Sequence, residues 1–365
     1  MTAYYEQPLR LVWNKLIRYP GGREIDRFRG IEPGADDGRP EAWVGSCARV
    51  INAAQLEDKN EGMAKVNMPD GSVIYVQELI DMDPAAVLGA EHAKKYGNNS
   101  NLLVKLLDAE KQLRLQAHPT RERVKATPKS WFNHADFGKT ECWYIISLRE
   151  DSPVKPYLLL GFKEGVTREI YDELFDKEDV PAMEDWCHKV YPQPGEMYFV
   201  QSGLVHAVGT GCFMIEIQEP SDFTVGVVKN PNWPGGPEDW KERELGTYHY
   251  DGCTYEENLR RWKVEPKVLS ETENGKEIYL IGSDQTPFFG GVRYELTGAF
   301  SPMDTGTFSI NIVTDGEGKI VYDGGEMEIK KADEIFLPAG VKNLQFVPAE
   351  GKRLEVVRCL PPDCV

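Results

Sequence analysis

Short runs rich in β-branched, aromatic and leucine side chains, separated by glycine, proline and polar turns, recur along the chain. Ser72-Val73-Ile74-Tyr75-Val76, Trp143-Tyr144-Ile145-Ile146, Tyr157-Leu158-Leu159-Leu160 and Phe213-Met214-Ile215-Glu216-Ile217 read as strands. Two stretches change to a helical period. Residues 76–96 have Leu79, Ile80, Val87 and Leu88 as their apolar positions, and residues 167–190 place Ile170, Leu174 and Phe175 on one face. Lys94-Lys95-Tyr96-Gly97 gives the first stretch a basic last turn and a glycine stop. Pro181 is expected to split the second into two short helices.

The pattern also repeats. Gly195-Glu196-Met197-Tyr198-Phe199-Val200-Gln201-Ser202-Gly203 aligns with Ala332-Asp333-Glu334-Ile335-Phe336-Leu337-Pro338-Ala339-Gly340, each a turn, an apolar strand and a glycine turn. Three residues past the glycine, the first copy has His206 and the second has Asn343. No histidine follows His249, so the second copy is expected to lack a histidine-based metal site. The expected fold is mainly β, two jelly-roll sandwiches with a few helices inserted in the N-terminal part. Residues 1–265 are expected to form a first domain, the one with the histidine, carrying a helical insert at about 165–192, and residues 266–365 a degenerate second domain, with the boundary in the polar stretch 266–276.

At 365 residues and 41% hydrophobic composition the chain has material for two packed cores. Its net charge of -17 argues against nucleic acid or an anionic membrane as partner, though not against a small anionic substrate held by local cations. The N-terminus shows no secretory signal pattern and no apolar run is long enough to span a membrane. Seven scattered cysteines without a CxxC pair suit reduced thiols in a cytoplasmic protein. Cys142, beside Glu141, is expected to be a small buried residue pointing to the opposite face.

Candidate chemistry centres on Gln116-Ala117-His118-Pro119. Residues i and i+2 of a strand share a face, so Gln116 and His118 can reach one ion, with Glu141 and His206 arriving from other strands. Two imidazoles, a carboxylate and an amide oxygen suit a borderline divalent metal such as Zn²⁺, while Mn²⁺, Co²⁺ and Fe²⁺ would also be accepted. Lys139, two residues before Glu141, should project to the same side. His92, His134, His188 and His249 lack such a context and are read as surface or structural.

These segments, with Glu41-Ala42-Trp43-Val44-Gly45-Ser46, Leu102-Leu103-Val104-Lys105-Leu106-Leu107-Asp108-Ala109, Phe137-Gly138-Lys139-Thr140-Glu141-Cys142-Trp143-Tyr144, Ser202-Gly203-Leu204-Val205-His206-Ala207 and Glu216-Ile217-Gln218-Glu219-Pro220-Ser221-Asp222, resemble in order the type I phosphomannose isomerases of the cupin superfamily, in their shorter bacterial form. The resemblance implies one Zn²⁺ held by Gln116, His118, Glu141 and His206, and interconversion of mannose 6-phosphate and fructose 6-phosphate through an enediolate. It also implies catalytic or supporting roles for Lys139 and Glu216, with Lys105 shaping the substrate site. The sequence departs from the family where an arginine usually follows the Ser-Asp pair: Gly226 stands there. Arg114, on the face of Gln116 and His118, is expected to supply that guanidinium and to contact the substrate, with Lys229 a weaker candidate. The departure leaves open an isomerase of a different sugar, phosphorylated or not, or a non-catalytic sugar-binding regulatory cupin. Asn230-Pro231-Asn232-Trp233-Pro234-Gly235-Gly236-Pro237 reads as an irregular loop in a place suited to a lid.

Overall fold

The computed structural model describes residues 3–51, 56–132, 135–229 and 236–364. Two antiparallel sheets form a sandwich in the N-terminal part. The seven-stranded sheet runs, in spatial order, through Lys263–Val264, Met197–Val200, Glu141–Leu148, Cys212–Gln218, Leu103–Asp108, Glu41–Val44 and Lys15–Leu16. The five-stranded sheet runs through Cys187–Val190, Leu158–Phe162, His206–Val208, Gln116–Ala117 and Val225–Gly226. Leu107, Trp143, Ile145, Val200 and Met214 of the larger sheet meet Leu158, Leu160, Val190 and Val208 of the smaller one in a shared core.

Alternation explains why every residue of Cys212–Gln218 is buried. Phe213, Ile215 and Ile217 face outward onto a second core that includes Leu280, Phe289, Phe308, Ile310, Phe336 and Val357 of the C-terminal part. Met214 faces the sandwich interior with Cys212, which puts Glu216 on the same inner side. Cys142 packs in the outer core, fully buried and opposite in sense to Glu141. All described cysteines are free thiols.

The remaining face of the five-stranded sheet is covered by helices. Ala117, Phe162, Ala207 and Val225 pack there against Tyr171, Phe175, Met183 and Leu245. Residues 167–190 differ from the expected helical pair in two respects. The helices are Arg168–Lys177 and Val180–Asp185, but Cys187–Val190 is the edge strand of the five-stranded sheet. The break falls at Glu178, in the left-handed conformation at φ 57°, and at Asp179, which caps Val180–Asp185; Pro181 sits in its first turn, where its missing N–H costs nothing. The buried face is Tyr171 and Phe175, with Leu174 and Ile170 only half-buried. The Tyr171 ring meets Phe162 edge-on at 4.8 Å and its hydroxyl donates to Met183 O at 2.6 Å, which draws that edge inward.

Residues 76–96 form three short helices, Val76–Met82, Pro84–Leu88 and Ala90–Tyr96. Asp83 accepts from Ala86 N, Pro84 starts the second helix and Gly89 at φ 100° ends it. Leu79, Ile80, Val87 and Leu88 are buried as expected, and Gly97 caps the last helix at φ 67°.

The C-terminal part is built on one long strand, Ser309–Tyr322. Its first half pairs with Glu334–Leu337 and Leu354–Leu360, its second with Gly325–Lys330 and Gln345–Pro348. The bend lies at Val313/Asp315, followed by Gly316, where a Cβ would stand 1.9 Å from Arg353 O; only glycine fits. Asn343 is exposed and donates to Asp323. Leu9–Arg10 joins this sheet by pairing with Phe336 and Ile335, so the first strand of the chain reaches across the division expected at 265/266. That division itself, between Lys263–Val264 and Lys267–Thr272, we retain as a proposal.

Candidate metal centre and its cavity

The short Gln116–Ala117 strand lies between His206–Val208 and Val225–Gly226, with Gln116 directly opposite both His206 and Gly226. This pairing carries Gln116 and His118 to the rim of the five-stranded sheet, where Glu141 opens a strand of the other sheet. His118 Nε2 is 3.4 Å from Glu141 Oε2, and His206 Nε2 is 3.6 Å from Glu141 Oε1. One candidate ligand atom from each of these three residues lies within 4.8 Å of the others. The Gln116 amide lies 3.2 Å from His206 Nε2, directed at the same point. All four side chains predicted from the sequence are therefore brought together.

The surroundings prepare these groups for a cation. His206 Nδ1 donates to Leu204 O at 2.9 Å, which makes Nε2 the acceptor nitrogen and turns its lone pair inward, toward the Gln116 amide nitrogen and the centre. Burial, with the nearby Lys139 ammonium, pushes the His118 imidazole down to about 3, so it is neutral. Burial also opposes ionisation of Glu141, but Lys139, His118 and His206 outweigh it and hold the carboxyl well below its usual range. Lys139 Nζ already sits 2.7 Å from Glu141 Oε2 and 3.0 Å from His118 Nε2. A donor set that draws an ammonium this closely fits a divalent cation.

Backbone contacts fix the segments. Gly203, at φ 90°, donates to His118 O at 2.7 Å, and a Cβ there would lie within 2.5 Å of the His249 ring. His249 is thus exposed but structural, its N–H donating to Gly203 O. Glu219 accepts from Thr140 N at 2.9 Å and pairs with Arg121, whose guanidinium lies over Phe288 of the C-terminal part. His92 and His188 are buried against Asn99 O and Cys253 O, structural as expected. His134 and residues 230–235 of the expected lid lie outside the described residues.

Beside the centre, a row of buried polar groups crosses four strands. Trp43, Lys105, Glu216 and Trp143 occupy one rung of the seven-stranded sheet. Lys105 Nζ lies 2.9 Å from Glu216 Oε1 and 3.7 Å from Glu41 Oε2. Trp143 Nε1 is shared between Glu141 at 3.1 Å and Glu216 at 3.2 Å. Glu216 titrates above the ordinary carboxyl range, through burial first and then repulsion from Glu141, against the opposing pull of Lys105 and Lys139. Lys105, though buried, is held charged by Glu216 and Glu41 rather than snorkelling from an edge.

Glu41 was missed as a site residue by sequence reasoning. A signal was available: Glu41-Ala42-Trp43 and Glu141-Cys142-Trp143 share one arrangement, each indole donating to the carboxylate two residues earlier. Burial works against ionising Glu41, yet Lys105 and Arg18 hold its carboxyl down at about 2. A depressed carboxyl contributes stability above the unfolded-state value near 4.5, and that stability is lost as pH falls toward 2. Glu41→Gln should therefore unfold on the order of 3 kcal/mol more easily at pH 7, with the gap narrowing at pH 3, as read by urea titration at both values.

A cavity of about 630 Å³ opens beside the centre, which it reaches at Gln116 and Lys139, its wall also including Trp143, Glu216 and Lys105. Arg114 lies exposed on the same wall beside Lys111, and neither has an acidic partner among the described residues. Lys229 is placed elsewhere, its ammonium on Asp176 O and over the Phe175 ring. At Gly226 a Cβ would meet nothing closer than Leu115 O at 3.8 Å. The Gly226 N–H instead donates to the Glu244 carboxylate, which is paired with Arg243 and pushed up by burial to about 7. Both residues line the cavity and neither was anticipated, because a helix distant in sequence delivers them.

Residues 29–144 match the family model described as phosphomannose isomerase type I, catalytic domain. The mannose-6-phosphate isomerase of Streptococcus mutans is 25% identical over 296 residues, 76% of this chain and 82% of that protein. A probable mannose-6-phosphate isomerase of Bacillus subtilis is 27% identical over 253 residues, covering 65% and 69% of the two chains. In fold, the crystal structure of the mannose 6-phosphate isomerase from Bacillus subtilis is similar with a TM-score of 0.73 at 20% identity, over 96% of this chain and 99% of that one. The mainly β architecture and the resemblance read from the motifs are both borne out.

Proposed function

We propose that this chain, whose residues 29–144 match the catalytic-domain model of the type I phosphomannose isomerases, interconverts mannose 6-phosphate and fructose 6-phosphate. The observation that supports this most is the convergence of His118, Glu141 and His206 beside Lys139, next to a cavity that also holds Glu216. Gln116, His118, Glu141 and His206 would hold one divalent ion, which we assign as zinc from the mixed N/O donor set. When bound, such an ion polarises the substrate carbonyl as a Lewis acid.

The chain's own groups account for the rest. Isomerisation removes the proton on C2 of the aldose, leaves an enediolate across O1 and O2, and returns a proton to C1. Glu216 is assigned as the proton carrier, since a carboxyl raised above its ordinary range by burial is a stronger base and can both accept and return a proton. Lys105 and Trp143 hold it in one orientation. Lys139 presents its ammonium to the developing oxyanion in a site from which bulk water is largely excluded. Lys111 and Arg114, cations without carboxylate partners among the described residues, are assigned to the phosphate, which favours a phosphorylated over a free sugar.

No described helix is long and apolar enough to cross a membrane, and the described cysteines are free, which supports a cytoplasmic placement within this proposal. Metal-loaded protein incubated with mannose 6-phosphate, then with free mannose, tests the reading by ketose formation. Arg114→Ser should lower kcat/KM for mannose 6-phosphate about 100-fold while metal content stays at the wild-type level. Unchanged kinetics would remove Arg114 from the site, and no product from any sugar alongside tight binding of one would replace the isomerase with a binding protein.

A further inference from the structure

The Arg18-Tyr19-Pro20 segment forms part of the cavity wall, close to Glu41 and Asp222. The Tyr19 ring is partly open to solvent, while its hydroxyl is buried beside the Glu41 carboxylate without the geometry of a full hydrogen bond. The segment does not depend on that hydroxyl for its position. Arg18 pairs with Asp222, whose other oxygen accepts from Ile51 N at 2.8 Å, and its guanidinium lies 5.5 Å from the Trp43 ring centroid.

The neighbours of the hydroxyl limit what it can meet. Glu41 and Glu216 both act on it, and burial together with these two carboxylates keeps it protonated. Their charge repels a phosphate dianion and tolerates a neutral hydroxyl. Phosphate has its own candidate partners in Lys111 and Arg114 on the same cavity wall. In a hexose 6-phosphate, O1 and O2 belong to the reacting end and O6 carries the phosphate, so the hydroxyls on C3, C4 and C5 are the ones left for recognition.

We propose that the Tyr19 hydroxyl hydrogen-bonds one of these three sugar hydroxyls and so helps to set which sugar phosphate the cavity accepts. The inference rests on the sugar-phosphate isomerase reading above. The test compares metal-loaded wild type and Tyr19→Phe on mannose 6-phosphate and on its 3-, 4- and 5-deoxy analogues. The variant should keep its metal content and melting temperature and lose about tenfold in kcat/KM on the full substrate. On the analogue lacking the contacted hydroxyl, the two proteins should be equal. A similar loss on all four substrates would show that Tyr19 only braces Glu41, and no loss on mannose 6-phosphate would show that it contributes nothing; either overturns the proposal. A wild type inert toward mannose 6-phosphate overturns the functional reading, and this inference with it, whereas an active wild type with an unaffected variant overturns this inference alone.

Discussion

Glu141→Gln and His206→Ala should each remove the bound metal and, with it, turnover. The donors come from three segments, and each is already in the form that binds a cation: two imidazoles whose protonation burial opposes and a carboxylate kept ionised by its neighbours. Losing even an outer partner of a metal ligand typically weakens binding about 10–100-fold. Removing a ligand itself should weaken it by at least about 1,000-fold, beyond retention through purification. Elemental analysis should give one ion per wild-type chain and none per variant, and kcat should fall in parallel. Cys142→Ala is the matched control, because Cys142 adjoins Glu141 but faces the core between the two halves of the molecule. It should retain its metal. Chelation should lower the melting temperature of wild type and leave both ligand variants where they were, since an ion that binds only the folded state stabilises it in proportion to occupancy. Full metal occupancy in Glu141→Gln would show that the cluster is a hydrogen-bonded ionic group rather than a metal centre.

Legibility in the sequence followed from how local the determining physics was. Gln116, His118, Lys139 and Glu141 were readable because a period of two fixes which neighbours share a face. His206 was readable because the repeat exposed it against Asn343. The β architecture followed from the same period, and the four apolar residues that the helical period chose in 76–96 are all buried, with Val76 and His92 buried besides. What stayed hidden depended on contacts distant in sequence. Tyr171 rather than Ile170 centres the buried face of its helix because Phe162 and Met183 O await it across the fold. Cys187–Val190 became strand because the Leu158–Phe162 edge needed a partner, and tertiary pairing overrides a helical period. Arg243 and Glu244 reach the cavity from a helix whose sequence announces only a solvated surface. Lys105 was legible as a residue of the substrate site, but only the register with Glu216 shows the buried ion pair it makes.

That register leads to the second large effect. Glu216→Gln should lower kcat by about 1,000-fold while leaving the metal in place, because the amide preserves shape and hydrogen bonding but cannot take a proton from C2. The metal should stay because Glu216 touches the centre only through Trp143, whose indole can still donate to Glu141. The pH profile separates this role from a bracing one. A proton carrier must be ionised to begin the aldose-to-ketose direction, so kcat/KM should rise with pH as Glu216 loses its proton. Burial, the largest influence on that carboxyl, raises it and so moves the rising limb upward, while Lys105 and Lys139 pull it down. Lys105 opposes that upward shift, so Lys105→Met should move the limb to still higher pH and reduce the plateau less than Glu216→Gln does. If Glu216 merely braced Lys105, the two substitutions would lower the plateau alike and leave the limb where it was. An unmoved limb in Lys105→Met, with a modest loss in Glu216→Gln, would transfer the proton-carrying role to another group on the cavity wall.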